Sequence, residues 1–168
     1  SPSTNQARLL LAVAEDQIAS PSAIAYHARS SLLTWREGAS EVVITHPDFA
    51  GNLSALVRLR QEQGLAVKVF TVDEIFDAYN YGERSPYAMR AFLQEAVQHW
   101  RIRPQFVLLV GDASLDPRNY LGFGDFDFVP TRMIDTAALK TASDDWFTDF
   151  NQTGYATIAT GRLPVRTT

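Results

Sequence analysis

The 168-residue chain contains no cysteine. That excludes a disulfide, a zinc–thiolate site and a thiol nucleophile within this sequence. It leaves the compartment open, because exported proteins often fold without disulfides. Positive charge is also in short supply: 15 Lys and Arg stand against 19 Asp and Glu, giving a net charge of −4 and a pI near 5.3. A broad nucleic-acid surface needs a concentrated basic face, and the densest basic stretch, Arg58-Leu-Arg60, reads as the wet side of a helix. No apolar run approaches the ~20 residues of a membrane-spanning helix. The longest, Leu9 to Ala14, lacks the length and basic flank of a signal peptide. There is no internal repeat and no low-complexity tract, and the start at Ser1 without a methionine points to a processed or excised piece.

What is present is globular. Hydrophobic residues make up 46% and charged residues 20%, which argues against disorder, and the length suits one domain. Residues 1–40 read as a lead-in from a preceding region, with Leu9 to Ala14 as a strand and the polar run to Ser40 as irregular connection. From Glu41 onward the pattern becomes regular. Val42-Val-Ile-Thr45 is a short β-branched run, 65–71 is a second strand, and Phe106-Val-Leu-Leu-Val110 is an uninterrupted apolar strand suited to a sheet interior. A last strand falls at 155–161. Between them, 48–63 has helical spacing ending at Gly64. Thr71-Val-Asp-Glu74 matches a capping box that opens a short helix. Ser85-Pro86 opens a longer helix with a Met89, Phe92, Leu93, Ala96, Val97 and Trp100 stripe. Residues 111–143 read as one long loop.

Strands alternating with helices imply a doubly wound α/β layer: a mainly parallel sheet with helices on both faces. Ligands in such sheets sit at the carboxyl ends of strands, which here carry His46, Thr71 and Gly111-Asp112. Five segments in order resemble the gingipain-type cysteine peptidases. They are Val43-Ile-Thr-His-Pro-Asp-Phe49, Arg60-Gln-Glu-Gln-Gly64, Val107-Leu-Leu-Val-Gly-Asp-Ala-Ser114 with Asp116-Pro117, Ser143-Asp-Asp-Trp146, and Gly161-Arg-Leu-Pro-Val-Arg166. The resemblance implies that 41–168 is the N-terminal half of a caspase-like peptidase domain made of two side-by-side halves. It also implies a secreted or cell-envelope protein, a polypeptide substrate, and a downstream half as partner. The family's catalytic histidine lies in a Gly-His-Gly segment and its cysteine after a later strand, both in the second half. None of the three histidines here has a glycine on either side, so no catalytic residue carries over.

Individual residues weigh the same way. His46 stands at a strand end and is able to serve as base or ligand, but it has no evident nucleophile to activate; bonding to the loop before Pro47 is the stronger reading. His27 and His99 read as surface residues. Asp112, Asp116, Asp125, Asp127, Asp144 and Asp145 form a carboxylate-rich stretch of the kind hard cations use, although Asp112 and Asp116 fit better as loop locks. Asp149, Asn151 and Thr153, followed by Gly154, set oxygens at calcium-loop positions one, three and five. Thr160, however, stands where a bidentate Glu belongs, so no cofactor is required, calcium is the one candidate ion, and a simple turn is the better account. Gly122-Phe-Gly124 has no following helix and fails as a dinucleotide loop. Trp146 and Phe147 are expected to be buried. Three functions compete: a scaffold half of a peptidase domain, a binding module that keeps a degenerate peptidase fold, and a flavodoxin-like anion-binding domain. The last lacks the glycine loop at a helix start that it needs.

Overall fold

The computed structural model describes residues 12–24, 26 and 30–168. Its strands are β1 (Glu41–Thr45), β2 (Val67–Thr71), β3 (Phe106–Val110), β4 (Arg132–Asp135), β5 (Lys140–Ser143) and β6 (Ala159–Leu163). Four of them form one wholly parallel sheet in the order β2-β1-β3-β6. Its register aligns Glu41 with both Val67 and Phe106, and Phe106 with Ala159. The helices are α1 (Pro47–Ala50), α2 (Ser54–Glu62), α3 (Val72–Asn80) and α4 (Pro86–His99).

Alternation along the strands sorts the apolar residues onto two faces. Val42, Ile44, Val107 and Leu109 join the larger core, where Ile75 and Phe76 of α3 and Met89, Phe92, Leu93 and Ala96 of α4 are buried. Rings close that core edge to face, with Trp35 against Trp100 at 4.7 Å and Phe70 against Phe92 at 5.0 Å between centroids. Such pairs contribute roughly 0.5–1.5 kcal/mol beyond simple burial. On the opposite face, Val43 and Val110 pack with Leu53, Leu56 and Val57 of the α2 region. Helices therefore lie on both faces, as the alternating pattern predicts.

The local signals for α3 and α4 act as read. Thr71 and Glu74 form the reciprocal capping box, and the Ser85 hydroxyl accepts the Tyr87 amide with Pro86 at the first turn. Elsewhere the structure differs. The helix expected over 48–63 is two, because Gly51 and Asn52, both weak helix formers, divide it and Leu53 turns into the core. The last strand begins at Ala159, four residues later than expected. The loop 111–143 contains the antiparallel β4–β5 hairpin, whose short, half-exposed strands carry little hydrophobic period. β3 is interior, yet β1 is the more enclosed: all five of its residues are buried, whereas Phe106 of β3 is 40% exposed.

Of the lead-in strand, Leu9 to Leu11 lie outside the described residues, and Ala12 to Ala14 are not in a strand. The stretch just before Glu41 is already part of the packing. Leu32 is buried in the core with Trp35 against it, and Gly38 bridges to Ile102 so closely that a Cβ would lie 2.1 Å from the Ile102 carbonyl oxygen. At the amino end of the sheet Glu41 is buried and lies 3.3 Å from Arg60 Nε, an ion contact whose angle makes no hydrogen bond.

Candidate functional site

The carboxyl ends of β1 and β3 and the loop after β3 converge on one region. Thr45 is fully buried, and its hydroxyl donates to the Val110 carbonyl at 3.0 Å, tying the two strand ends together. Gly111 follows with φ of +140°, and a Cβ there would lie 2.8 Å from Val129 and 3.0 Å from Phe128. Only glycine lets the returning 128–129 segment lie against the strand end. That return is fixed by the Val129 amide, which donates to the Asp112 carbonyl at 3.0 Å.

His46 sits at the end of β1 as the cap of α1. Its Nδ1 accepts the Asp48 amide at 3.3 Å, and its ring lies 5.1 Å from that of Phe128. The Asp48 carboxylate is 3.4 Å from the same nitrogen. One nitrogen cannot accept from the amide and donate to the carboxylate at once, and the amide contact is the one that satisfies an orphan donor of the helix start. His46 is thus a loop-bonded histidine. His99 is half-exposed and pairs with Glu95 at 3.1 Å, and His27 lies outside the described residues.

The carboxylates serve mainly as locks. Asp112 accepts the Ala113 amide and Arg166 Nε, the latter at 2.6 Å. Asp116 accepts the Leu121 amide, and Asp127 accepts the Ser114 amide at 2.9 Å. Asp144 takes both Nε and Nη2 of Arg162, at 2.7 and 2.8 Å, and the same guanidinium donates to the carbonyls of Gly111 and Val129 at 2.7 Å each. One arginine from β6 thereby joins the end of β3, the returning loop and the segment after β5. Asp145 opens the 3-10 turn Asp145–Phe147. Phe147 is fully buried, while Trp146 is half-buried with Arg90 over its ring.

Of the calcium-loop residues, Asp149 turns its carboxylate onto the amides of Thr153 and Gly154, at 3.0 and 2.8 Å, and lies near the Thr153 hydroxyl. Asn151 is exposed. Among the described residues no group of three or more His, Asp or Glu stands together to hold a metal. The Asp149 carboxylate thus closes the loop on its own backbone amides.

Two of these carboxyls give opposite pH signatures. Burial pushes Asp127 above the usual carboxylate range; the Ser114 amide and the charges of Arg84 and Arg162 oppose it, while Asp125 adds to the rise. At Asp149 desolvation also pushes upward, but the Thr153 and Gly154 amides, the Thr153 hydroxyl and Arg90 outweigh it and hold the carboxyl low. A raised folded-state pKa means stability that is fully present below the unfolded value and lost as pH rises through the folded one. A lowered pKa means stability present above the unfolded value and lost as pH falls through the folded one. Asp127→Asn keeps an acceptor for Ser114 and is expected to raise the melting midpoint at pH 7, the gain closing below about pH 4. Asp149→Asn is expected to lower the midpoint at pH 7. Thermal melts of both variants across this range check the signs, and a fall for Asp127→Asn at pH 7 would contradict the burial argument.

The site's arginines went unread in the sequence. Arg162 carried a signal, since a cation inside a strand next to apolar residues needs a partner, and Asp144 is its partner across 18 residues. Arg84 and Arg132 carried none, because only the fold brings them to the β3 loop.

No curated protein sequence matches this chain. A crystal structure of dimeric latent PorU from Porphyromonas gingivalis is similar to it with a TM-score of 0.61 and 21% identity, over 79% of this chain and 14% of that one. At that identity the likeness shows the fold, consistent with a caspase-like α/β layer, and this chain spans a small part of the other protein. The family model described as Peptidase family C25 matches residues 34–168. That range takes in the whole parallel sheet, the β3 loop and Arg162, and the chain belongs to this gingipain family of peptidases.

Proposed function

We propose that this chain is the non-catalytic N-terminal part of a gingipain-type cysteine endopeptidase domain, scaffolding an active site whose histidine and cysteine come from sequence beyond it. Residues 41–168 are the subdomain, and 1–40 lead in from a preceding region, with the last of them already packed on the sheet. The observation that carries this is the open side of the sheet at β6. Among the described residues that strand is paired on one edge alone, to β3, and Ala159, Gly161 and Leu163 are exposed along it. A parallel strand with a free edge and bare alternate residues is suited to continue into a second half-sheet. The family supports a polypeptide substrate and a secreted or cell-envelope setting, and the described residues contain no helix long and apolar enough to cross a membrane.

This chain alone is expected to hydrolyse no peptide. Covalent peptidase chemistry needs a nucleophile beside a base and a site for the oxyanion. Cysteine is absent, and the imidazole at the strand end is used as a helix cap. The check is an assay against peptides with varied P1 residues, first with this chain and then with a polypeptide extended through a downstream histidine and cysteine. Iodoacetamide-sensitive turnover in the longer chain only is the expected result. A folded longer chain that carries both residues and stays inactive after removal of any pro-segment would make the domain a binding module with a degenerate peptidase fold.

A further inference from the structure

A cleft of about 540 Å³ lies beyond the carboxyl end of β3, within the usual range for ligand sites. Its walls come from three places distant in sequence: the turn before α4, the loop after β3 and the start of β4. Leu115, Pro86 and Met133 give it apolar surface, and Leu115 is 77% exposed there. Three arginines contribute to its lining, Arg84, Arg118 and Arg132, the last also lining the neighbouring cleft beside Tyr87 and Trp146.

Their engagement leaves charge over. Arg84 donates to the backbone carbonyl of Asp127, not to a carboxylate. Arg118 meets the Tyr120 hydroxyl at 3.3 Å. Arg132 lies over the rings of Tyr87 and Trp146, at 5.2 and 5.7 Å; stacking of this kind occupies the flat of a guanidinium and leaves its N–H edge for a planar acceptor. Opposing them are Glu83, which is exposed, and Asp127, which is buried and turned onto the Ser114 amide. The long helix α4 begins at Pro86 on the rim, and its amino-terminal dipole adds to the positive field.

We propose that this cleft binds an extended peptide through a side-chain carboxylate, held by Arg132 and Arg118 against the proline and leucine wall. The inference rests on the peptidase reading only for the peptide nature of the ligand. The geometry asks for a planar anion, because arginine forks pair with carboxylates two bonds at a time. A small isolated anion would leave the apolar wall unused.

The test titrates the 168-residue chain with a fluorescent, amidated peptide, Ala-Glu-Pro-Glu-Ala, with its Gln twin, and with inorganic phosphate as competitor. The Glu peptide is expected to bind about tenfold or more tighter than the Gln peptide, the scale of a charge-assisted hydrogen bond. Added salt should weaken it. Arg132→Gln and Arg118→Gln should each remove a large part of that preference. Arg132 also stacks on the core edge, so a melt accompanies its variant; Arg118 is fully exposed, and its variant decides the matter if the other does not fold. Equal binding of the Glu and Gln peptides, an unchanged preference in Arg118→Gln, or displacement of the Glu peptide by phosphate at its own concentration would each overturn the proposal. Hydrolysis by the longer chain is read separately. Carboxylate-selective binding without turnover keeps the cleft and removes the peptidase reading, and turnover without selective binding does the reverse.

Discussion

Replacing Arg162 with alanine is expected to destabilise the fold by about 3–5 kcal/mol, the cost of breaking a buried ion pair from one side. The side chain is 12% exposed and makes four close hydrogen bonds, two to Asp144 and one each to the carbonyls of Gly111 and Val129. Without it, Asp144 still accepts the Thr131 hydroxyl at 3.0 Å, and both carbonyls lose their guanidinium donor. Asp144 is 26% exposed, so water recovers part of the loss and the lower end of the range applies. Arg162→Lys should recover a part only, since an ammonium cannot span a bidentate carboxylate and two carbonyls together. Urea denaturation measures both, with Arg162→Ala/Asp144→Asn closing a double-mutant cycle. A loss below about 1 kcal/mol, the level of an exposed pair, would mean that the cluster opens in solution.

The contrast between Arg162 and α4 shows which parts of the molecule were legible in the sequence. Helix α4 announced itself locally: cap, first-turn proline and apolar stripe all lie within sixteen residues and need no distant partner. Strands β1, β2 and β3 were legible for the same reason, as β-branched or apolar runs ended by turn residues, whereas β6, with Gly161 and Arg162 inside it, was placed four residues early. The break in 48–63 was missed because a weak helix former costs only about 1 kcal/mol, and burial of Leu53 decides the matter. The β4–β5 hairpin was missed because its residues are half-exposed, so no alternation marks the strands. The carboxyl-end site was legible in place but not in content. Strand order put His46 and Gly111-Asp112 at one edge, whereas the arginines that answer the Asp-rich loop come from β6, the turn before α4 and the hairpin. Pairing across such distances is a property of the closed fold, whereas the loop-lock roles of Asp112 and Asp116 are local and were legible.

The second large effect separates the two faces of β3. Leu109→Ala is expected to cost about 2–5 kcal/mol, because the side chain is fully buried against the α3–α4 core and its loss leaves a cavity that a packed interior fills poorly. Its neighbour Leu108 belongs to the same apolar run but points to the opposite face. There it is only half-buried, beside exposed Phe106 and opposite the exposed Gly161 of β6. Water reaches that side already, so Leu108→Ala should cost clearly less. The sequence pattern alone makes the two positions equivalent. The difference arises because the α2 region covers β1, β2 and Val110 at the carboxyl end of β3, while Phe106 and the alternate residues of β6 on the same face stay exposed. Denaturation of both variants at several protein concentrations reads the distinction. Equal and concentration-dependent losses would show that a second copy covers this face in solution. A small Leu108 effect that grows in the longer chain would show instead that the downstream half packs against it, which is what the scaffold reading requires.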